Sequence, residues 1–449
     1  MKIIIAGAGE VGTHLARNLA GEEQQDITLM DPDCNVINNF KRRSEIFSVV
    51  ANPTVLSDLQ VCQVDSADLF VSVMPDESNN LLACMMASRL GAKNTIARIN
   101  NHLYLGEEYK HFFEQLGVNR LIYPEELAAR EIADSLKHPW ARVYLELLNG
   151  AFVLVGVKVR DGSRMVGKPL SFFKEEGEKR VHVVAIKRFD KTIIPRGTTR
   201  VESGDVVFFI CLSKDIEIVR ELTDKPRRKV SNIVILGGSL IAMRAIEKVP
   251  SNIHFQLVEK DPERIASIEN LIPRNVDIYE GDGRDLSVLE ELHMDKETVF
   301  VALTENSETN ILACLAAKRF EVCKTIAKEE NIDYIPLAEK LDIGTIINKK
   351  LIAAGYIYRA LLGSDTKNVK SLSIARADVA ELQAKTGSPI TQKPVKDLDL
   401  PEGITLGGVV RNGIPYMIDG DTILQPYDNV IVFCTGVPMN KLHRWFSSR

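Results

Sequence analysis

The chain has 449 residues, of which 45% are hydrophobic and 26% are charged, and its formal net charge is −5. This length exceeds what one hydrophobic core supports, and the composition is that of ordinary globular domains. The negative charge argues against nucleic acid or anionic lipid as a partner held by overall attraction. No stretch approaches the roughly 20 apolar residues of a membrane helix, and the first apolar run is typical of a strand rather than a signal peptide.

The first 140 residues alternate between short apolar runs and segments of helical periodicity. This pattern predicts a parallel sheet with helices on both faces. The predicted strands are 3–6, 26–30, 46–50, 69–74, 95–99 and 121–123. The predicted helices are 11–20, 33–43, 79–90, 107–116 and 125–137.

The texture then changes, because residues 151–212 contain β-rich runs joined by polar loops. The whole order repeats: 231–350 alternates strand and helix again, 350–362 is helical, and 369–449 is β-rich. We therefore expect an α/β chain of two Rossmann-like domains, each followed by a small β domain. The predicted boundaries are 1–140, 141–224, 230–365 and 366–449, with a linker near 221–231.

Local sequence supports the duplication. Leu-Ala-Cys at 82–84 recurs at 312–314, an offset of 230 residues, and Thr-Ile-Ala-Arg at 95–98 recurs as Thr-Ile-Ala-Lys at 325–328. A repeat of this length predicts two domains of similar architecture. It also predicts two similar sites, whose chemistry has diverged wherever the repeated residues differ.

The seven cysteines are scattered and form no C-x-x-C pair. We expect reduced, buried thiols in a cytosolic protein and no metal site. The basic run at 225–229 is short and lies at a domain boundary, which favours a solvated linker.

The loop 7–12 reads Gly-Ala-Gly-Glu-Val-Gly and lies between a predicted strand and a predicted helix. In such a loop the first glycine permits the tight turn, the second admits a diphosphate, and the third lets helix and strand pack closely. The helix N-terminus supplies free N–H groups to phosphate. The alternative is a Rossmann turn that no longer binds a ligand. The predicted cofactor contacts in this loop are Gly7, Gly9, Glu10, Val11 and Gly12.

Three further side chains fall at predicted strand ends of the first domain. Asp31 ends the second strand, 19 residues after Gly12, where a carboxylate can accept from both ribose hydroxyls and disfavours a 2′-phosphate. NAD(H) or an adenine nucleotide is therefore favoured over NADP. Asp76 either lies beside the nucleotide or caps the following helix. Arg98 either contacts phosphate or forms a surface ion pair.

The second half departs from this fingerprint. Its loop 237–242 reads Gly-Gly-Ser-Leu-Ile-Ala, so Gly237 is retained but Ser239 replaces the glycine that admits the diphosphate. Glu259, Thr304 and Lys328 occupy the positions of the ribose acid, the fourth-strand end and Arg98. The second domain is either a weaker nucleotide site or a packing duplicate.

No catalytic apparatus is visible in the sequence. It contains no G-x-S-x-G, S-x-x-K or H-E-x-x-H motif and no Walker A loop, and the eight histidines are dispersed. The chain is therefore interpreted as a sensor and not an enzyme. Two alternatives are an NAD-dependent oxidoreductase with two Rossmann domains and a redox-sensing repressor, although the basic run is too short to read DNA convincingly.

The chain resembles the TrkA family over essentially its whole length. The resemblance rests on the repeat order, the start MKIIIAGAGEVG, the acid at Asp31, Thr-Ile-Ala-Arg at 95–98 and Gly-Asp-Gly at 281–283. Members of this family are cytosolic regulatory subunits of Trk potassium uptake systems, built from two RCK (KTN) units. The resemblance implies RCK-N domains that bind NAD(H) or ATP/ADP, RCK-C domains after them, and no enzymatic activity. It also implies a homotetrameric ring, peripheral on the inner face of the plasma membrane, beneath a channel subunit of the TrkH/TrkG type.

Carried over by position, the resemblance implies phosphate contacts at Gly7, Gly9, Gly12 and Arg98 and a ribose contact at Asp31. The family usually has a Gly-Asp-Gly/Ala-Thr-like turn after the third strand, whereas residues 51–54 here read Ala-Asn-Pro-Thr. Asn52 can still hydrogen-bond adenine or ribose, but without charge. The second unit keeps the acid as Asp282, although Ser239 puts its ligand in question.

Overall fold

The first domain of the computed structural model is a six-stranded sheet in the order β3-β2-β1-β4-β5-β6, with all neighbouring strands parallel. The structure describes residues 1–20, 25–175, 180–189, 191–361, 366–372, 377–436 and 439–447. The elements of this domain are β1 (Lys2–Ala6), α1 (Glu10–Ala20), β2 (Asp26–Asp31), α2 (Cys34–Lys41), β3 (Phe47–Val50), α3 (Leu56–Val61), β4 (Leu69–Ser72), α4 (Glu77–Leu90), β5 (Thr95–Arg98), α5 (Glu107–Gln115), β6 (Arg120–Ile122) and α6 (Pro124–Lys137).

Strand β1 shows why this sheet forms. Ile3, Ile4 and Ile5 are all fully buried, as expected for a central parallel strand covered by helices on both faces. Ile5 pairs with Leu29 of β2 on one side and with Val71 of β4 on the other. The strand order reverses between β1 and β4, and ligands bind at such a switch point in open α/β sheets.

An antiparallel sheet in the order β10-β9-β11-β8-β7 follows. Its elements are β7 (Val143–Leu147), β8 (Phe152–Lys158), α7 (Leu170–Glu175), β9 (Val181–Arg188), β10 (Lys191–Ile193), β11 (Val206–Leu212) and α8 (Ile216–Leu222). The sequence pattern did not predict β7 or the two short helices.

The second parallel sheet has the order β14-β13-β12-β15-β16-β17, which repeats the first. Its elements are β12 (Asn232–Leu236), α9 (Leu240–Lys248), β13 (His254–Glu259), α10 (Pro262–Ile268), β14 (Val276–Glu280), α11 (Leu286–Glu291), β15 (Thr298–Ala302), α12 (Ser307–Ala317), β16 (Lys324–Lys328), α13 (Ile335–Lys340), β17 (Thr345–Ile347) and α14 (Lys349–Leu361). The predicted fold class, two parallel Rossmann-like sheets each followed by a β-rich part, is confirmed.

The last sheet is antiparallel with the order β18-β19-β22-β20-β21. Its elements are β18 (Thr366–Leu372), β19 (Ala377–Gln383), β20 (Ile404–Arg411), β21 (Ile414–Met417), β22 (Asn429–Cys434) and α15 (Met439–Phe446). The two antiparallel sheets share a core in which Phe152 and Phe208 of the first lie against Val379 and Phe433 of the second.

The chain divides into two compact units. One holds the first parallel sheet together with α14, which packs against α1. The other holds the second parallel sheet and both antiparallel sheets. The four domain boundaries expected from sequence stay a prediction.

Neither a membrane-spanning helix nor a metal-binding cluster occurs within the described residues. None of the helices there is long and apolar enough to cross a membrane. No group of three or more His, Cys, Asp or Glu side chains within those ranges is arranged to hold a metal ion.

All seven cysteines are free thiols, and burial raises the pKa of Cys211 to about 12.

Candidate functional site

The three glycines of the loop between β1 and α1 have different geometric roles. Gly7 has φ +106°, and a Cβ built there would lie 3.0 Å from the backbone nitrogen of Met74. A Cβ on Gly12 would lie 1.9 Å from the carbonyl oxygen of Gly7, so only glycine lets α1 approach β1 this closely. A Cβ on Gly9 would meet nothing within 4 Å. The open side of the loop is therefore at Gly9, where a diphosphate approaches in a Rossmann turn.

Asp31 lies at the carboxyl end of β2 and is held against this loop. Its Oδ2 accepts a hydrogen bond from the Ala8 N–H at 2.7 Å, and its Oδ1 accepts one from the Asp33 N–H at 2.9 Å. Each carboxylate oxygen has further lone-pair capacity. The carboxylate is thus fixed in orientation and can still accept hydrogen bonds from a sugar.

A cavity of about 400 Å³ lies beside the loop, within the range of small-molecule sites. Six of the predicted contacts line it: Gly7, Gly9, Glu10, Val11, Asp31 and Arg98. Sequence reasoning did not identify its other lining residues, which are Asp33, Val36, Val73, Pro75, Pro124, Lys349 and Lys350.

Arg98 ends β5 at the edge of this cavity. Its Nε is buried and has no hydrogen-bond partner among the residues that the structure describes. Its carbonyl oxygen accepts a hydrogen bond from Asn80 at 3.0 Å, and Asn80 is itself bonded to Ser72 and Met74. The backbone is therefore anchored while the guanidinium retains an unmet donor, which fits an anionic ligand because buried polar groups are normally satisfied.

Two lysines at the start of α14 complete the cavity from a distant part of the sequence. Lys350 forms an ion pair with Glu10, and the Lys349 Nζ lies 3.2 Å from the Glu125 Oε1. The only sequence signal was a Lys-Lys pair at a predicted helix start. Nothing in the repeat indicated that this helix packs on α1.

Three predicted contacts of the first domain do not line the cavity. Gly12 serves helix–strand packing, as described above. The Asn52 Oδ1 accepts hydrogen bonds from the Thr54 N–H at 3.0 Å and hydroxyl at 2.8 Å, and Asp76 caps α4 by accepting from the Asn79 N–H at 2.7 Å. Direct ligand contacts at these residues stay a prediction.

The corresponding loop of the second parallel sheet is filled by its own side chains. Gly237 keeps the positive φ of +98°. Ser239, however, caps α9 by accepting from the Ala242 N–H at 3.3 Å, and so occupies one of the N–H groups at the start of that helix. A Cβ on Gly238, the counterpart of Ala8, would lie 2.9 Å from Ile268 Cδ1 and 3.4 Å from Glu259 Oε2, so these two side chains pack against the loop.

The other predicted side chains of this second domain have protein partners. Glu259 accepts from the Gly238 N–H at 2.7 Å, and Thr304 donates to Asn310 at 2.7 Å. Lys328 is buried and lies 3.3 Å from Glu330.

Asp282 is also paired within its own turn. Its Oδ2 accepts from Arg284 Nη2 at 2.5 Å, and this hydrogen bond lowers the pKa of Asp282 to about 2. Ligand binding at all of these second-domain residues stays a prediction, and their charges and donors are already used within the protein.

Solved structures share this architecture. The chain is similar to the GsuK RCK domain, with a TM-score of 0.60 and 13% identity, over 100% of this chain and 95% of that one. It is also similar to the GsuK channel bound to NAD, with a TM-score of 0.58 and 14% identity, over 100% of this chain and 79% of that one. The fold is therefore that of tandem RCK-domain proteins.

Sequence comparison narrows the class. The TrkA-N domain model matches residues 3–124 and 233–349, and the TrkA-C domain model matches 154–224 and 379–447. The Trk system potassium uptake protein TrkA of Halomonas elongata is 32% identical, and the alignment covers 96% of this chain and 95% of that protein. The TrkA protein of Haemophilus influenzae is 30% identical with the same coverage. The chain belongs to the TrkA family of Trk system potassium uptake proteins, which confirms the resemblance seen in the sequence.

Proposed function

We propose that this chain is the nucleotide-sensing regulatory subunit of a bacterial potassium uptake system, and that its first Rossmann-like domain binds NAD(H) or ATP/ADP. The observation that carries the proposal is the unpartnered, buried Nε of Arg98 at a cavity whose glycine loop is open at Gly9. The proposal is also supported by the similarity to TrkA potassium uptake proteins and to the GsuK channel bound to NAD.

The residues of the first domain fit an adenine nucleotide. The α1 N-terminus and Arg98 would hold phosphate, and Asp31 would accept from ribose hydroxyls. The second domain has a capped helix and paired side chains, so we expect it to bind nucleotide weakly or not at all.

Lys350 supplies the link from ligand to conformation. A bound phosphate group would compete with Glu10 for this ammonium and so alter the contact between α1 and α14. A nucleotide shifts a conformational equilibrium only by its difference in affinity between two states, and this exchange of partners provides such a difference.

In this proposal the chain has no catalytic activity of its own. It assembles as a homotetramer, so that eight RCK units form a ring against a TrkH/TrkG-type membrane subunit at the cytoplasmic face. Nucleotide binding changes the ring conformation and thereby potassium uptake. Mass measurement of the purified chain by light scattering tests the assembly, and a stable monomer would contradict it.

The direct test is calorimetric titration of the full chain with ATP, ADP, NAD and NADH, repeated on Asp31→Ala and on the matched variant Glu259→Ala. We expect Asp31→Ala to abolish binding and Glu259→Ala to leave it intact. Loss of different ligands in the two variants would instead indicate two working sites. Absence of binding to any of the four nucleotides would exclude the sensing mechanism, and turnover of NADH with a small carbonyl compound would favour the oxidoreductase alternative.

A further inference from the structure

A second cavity, of about 760 Å³, lies in the compact unit that holds the second parallel sheet. Its walls come from the first antiparallel domain, from the segment 223–228, and from the β16–β17 edge of the second sheet. Seven cationic side chains line it: Arg142, Lys158, Arg160, Lys225, Arg228, Lys318 and Lys324. None of them belongs to the glycine-loop site.

Nearby carboxylates compensate this charge only in part. One of them, Asp342, pairs with four of the seven cations: Arg142, Lys158, Arg160 and Lys318. Of the three acids in the lining, Glu321 pairs with Lys296 at 3.1 Å, and Asp224 accepts from the Arg164 N–H at 2.8 Å. The third acid in the lining is Asp161. Asp342 and the three lining acids together are four carboxylates against seven cations, which leaves an excess of three formal positive charges.

Lys324 shows the electrostatic cost of this arrangement. The residue is 7% exposed, and its ammonium donates to the carbonyl oxygens of Ser135 at 2.9 Å and Ala141 at 2.8 Å. No carboxylate among the described residues pairs with it. Burial lowers the pKa of Lys324 to about 7.

Lys225 is a lysine of the cavity wall whose ammonium lacks a protein partner among the described residues. Within the described ranges its ammonium has no hydrogen bond and no ion pair. Burial, together with the charges of Arg160 and Arg142, lowers the pKa of Lys225 to about 8. Burial lowers the pKa values of Lys158 and Lys318 to about 8 as well, with neighbouring cations as the second cause. An anion bound here would relieve this repulsion.

The basic run at 225–229 divides in two. Lys225 and Arg228 line the cavity, whereas Arg227 and Lys229 are exposed and do not. The interpretation as a solvated linker therefore fits Arg227 and Lys229 only. Lys225 and Arg228 therefore join the other five cations in the cavity wall.

We propose that this cavity is a binding site for a small molecule that carries two or more phosphate groups. Its volume is within the range of small-molecule sites. Each phosphate monoester adds about −1.5 to −2 charge at neutral pH, so two groups match the excess of positive charge. Arginine forks suit phosphate oxygens, and Arg142, Arg160 and Arg228 supply them.

The test is calorimetric titration of the full chain with inorganic tripolyphosphate, which has no ribose or base. Lys225→Gln/Arg228→Gln removes two lining charges, and Arg227→Gln/Lys229→Gln removes the same charge from the same segment outside the cavity. We expect the first double variant to weaken binding at least tenfold and the second to bind like the unaltered chain. Equal weakening in both variants, or no binding to the unaltered chain, would overturn the proposal.

Binding at the glycine loop is distinguished by Arg98→Gln. We expect the Arg98→Gln variant to retain tripolyphosphate binding. Loss of tripolyphosphate binding in this variant would assign the anion to the glycine-loop site and overturn the proposal.

A second measurement needs no variant in the cavity. Acetylation of the unaltered chain, quantified by mass spectrometry, should show tripolyphosphate protecting Lys225 while Lys229 reacts as before. Equal protection of the two lysines would contradict a site in the cavity.

Discussion

At the scale of single residues, the glycines of the first loop separate folding from binding. Gly12→Ala places a methyl group against the Gly7 carbonyl, so we expect a loss of about 1–3 kcal/mol in the free energy of unfolding. Gly9→Ala meets only open space and should change that free energy by less than about 1 kcal/mol, yet obstruct a diphosphate. Urea unfolding and nucleotide titration of both variants test this pair. A Gly9→Ala variant with unaltered affinity would refute the placement of the diphosphate.

Lys324 predicts a pH dependence of stability. The pKa of Lys324 is about 7 in the folded chain, whereas the ordinary pKa of a lysine is 10.5, so the unfolded chain binds more protons between these pH values. The contribution of Lys324 to the free energy of unfolding should therefore increase from pH 7 towards pH 10.5, by at most about 1.4 kcal/mol per pH unit. Lys158, Lys225 and Lys318 contribute in the same direction, because their pKa values are also lowered.

Lys324→Met should flatten the increase of stability with pH, measured by urea unfolding at pH 7, 8 and 9. The exposed Lys214→Met is the matched control and should keep the slope of the unaltered chain. A slope that is the same in Lys324→Met and in the unaltered chain would show that Lys324 remains charged in the folded protein at pH 7–9.

At the scale of elements, the contact of α14 with the glycine loop yields paired predictions. Lys350→Gln removes a cation from the cavity and should weaken ATP binding by at least about tenfold, since a charge-assisted hydrogen bond contributes about 1.5–3 kcal/mol. Glu10→Gln removes the competing carboxylate and should tighten it. Titration of both variants with ATP tests the expected decrease in affinity for Lys350→Gln and the expected increase for Glu10→Gln. Weakening by both substitutions would show that the Glu10–Lys350 ion pair itself builds the site.

The elements also show what sequence can predict. Apolar runs followed by helical periodicity predicted the strands of the first parallel sheet, because that alternation is local: 95–99 was expected where β5 spans Thr95–Arg98. The glycine spacing likewise placed Gly7, Gly9 and Asp31 together. Lys350 and Lys225 could not be placed, because their positions depend on how distant elements pack. Strand β7 was missed because its sequence VYLEL lacks a clear alternation of apolar and polar residues, and only Leu147 of its five residues is buried.

At the scale of the whole molecule, the two parallel sheets repeat one strand order while their glycine loops differ. Both parallel sheets have the same strand order, but the position of Gly9 in the first loop is taken in the second by Ser239, which caps α9. Ser239 caps α9 and Lys328 pairs with Glu330, whereas Gly9 has no side chain and the Arg98 Nε has no partner among the described residues. Lys349 and Lys350, which follow the second parallel sheet in the chain, line the cavity beside the first glycine loop.

The two antiparallel sheets are held together by close approach at glycine. A Cβ on Gly408 would lie 2.4 Å from the ring of Phe152, and one on Gly407 would lie 2.3 Å from Ile210. Gly408→Ala should therefore lower the free energy of unfolding by about 1–3 kcal/mol through overpacking. Gly197→Ala is the matched control, because its Cβ would make only an ordinary contact at 3.7 Å.

Phe152→Leu gives a double-mutant test of the same contact. Alone it should destabilise by removing buried volume, since Phe152 is fully buried, but it also makes room for the Gly408→Ala methyl group. The combined variant should then lose less stability than the sum of the two single losses, with a coupling of about 0.5–3 kcal/mol in urea unfolding. Strict additivity would mean that the sheets do not meet through this pair, because substitutions at residues that share no contact act independently.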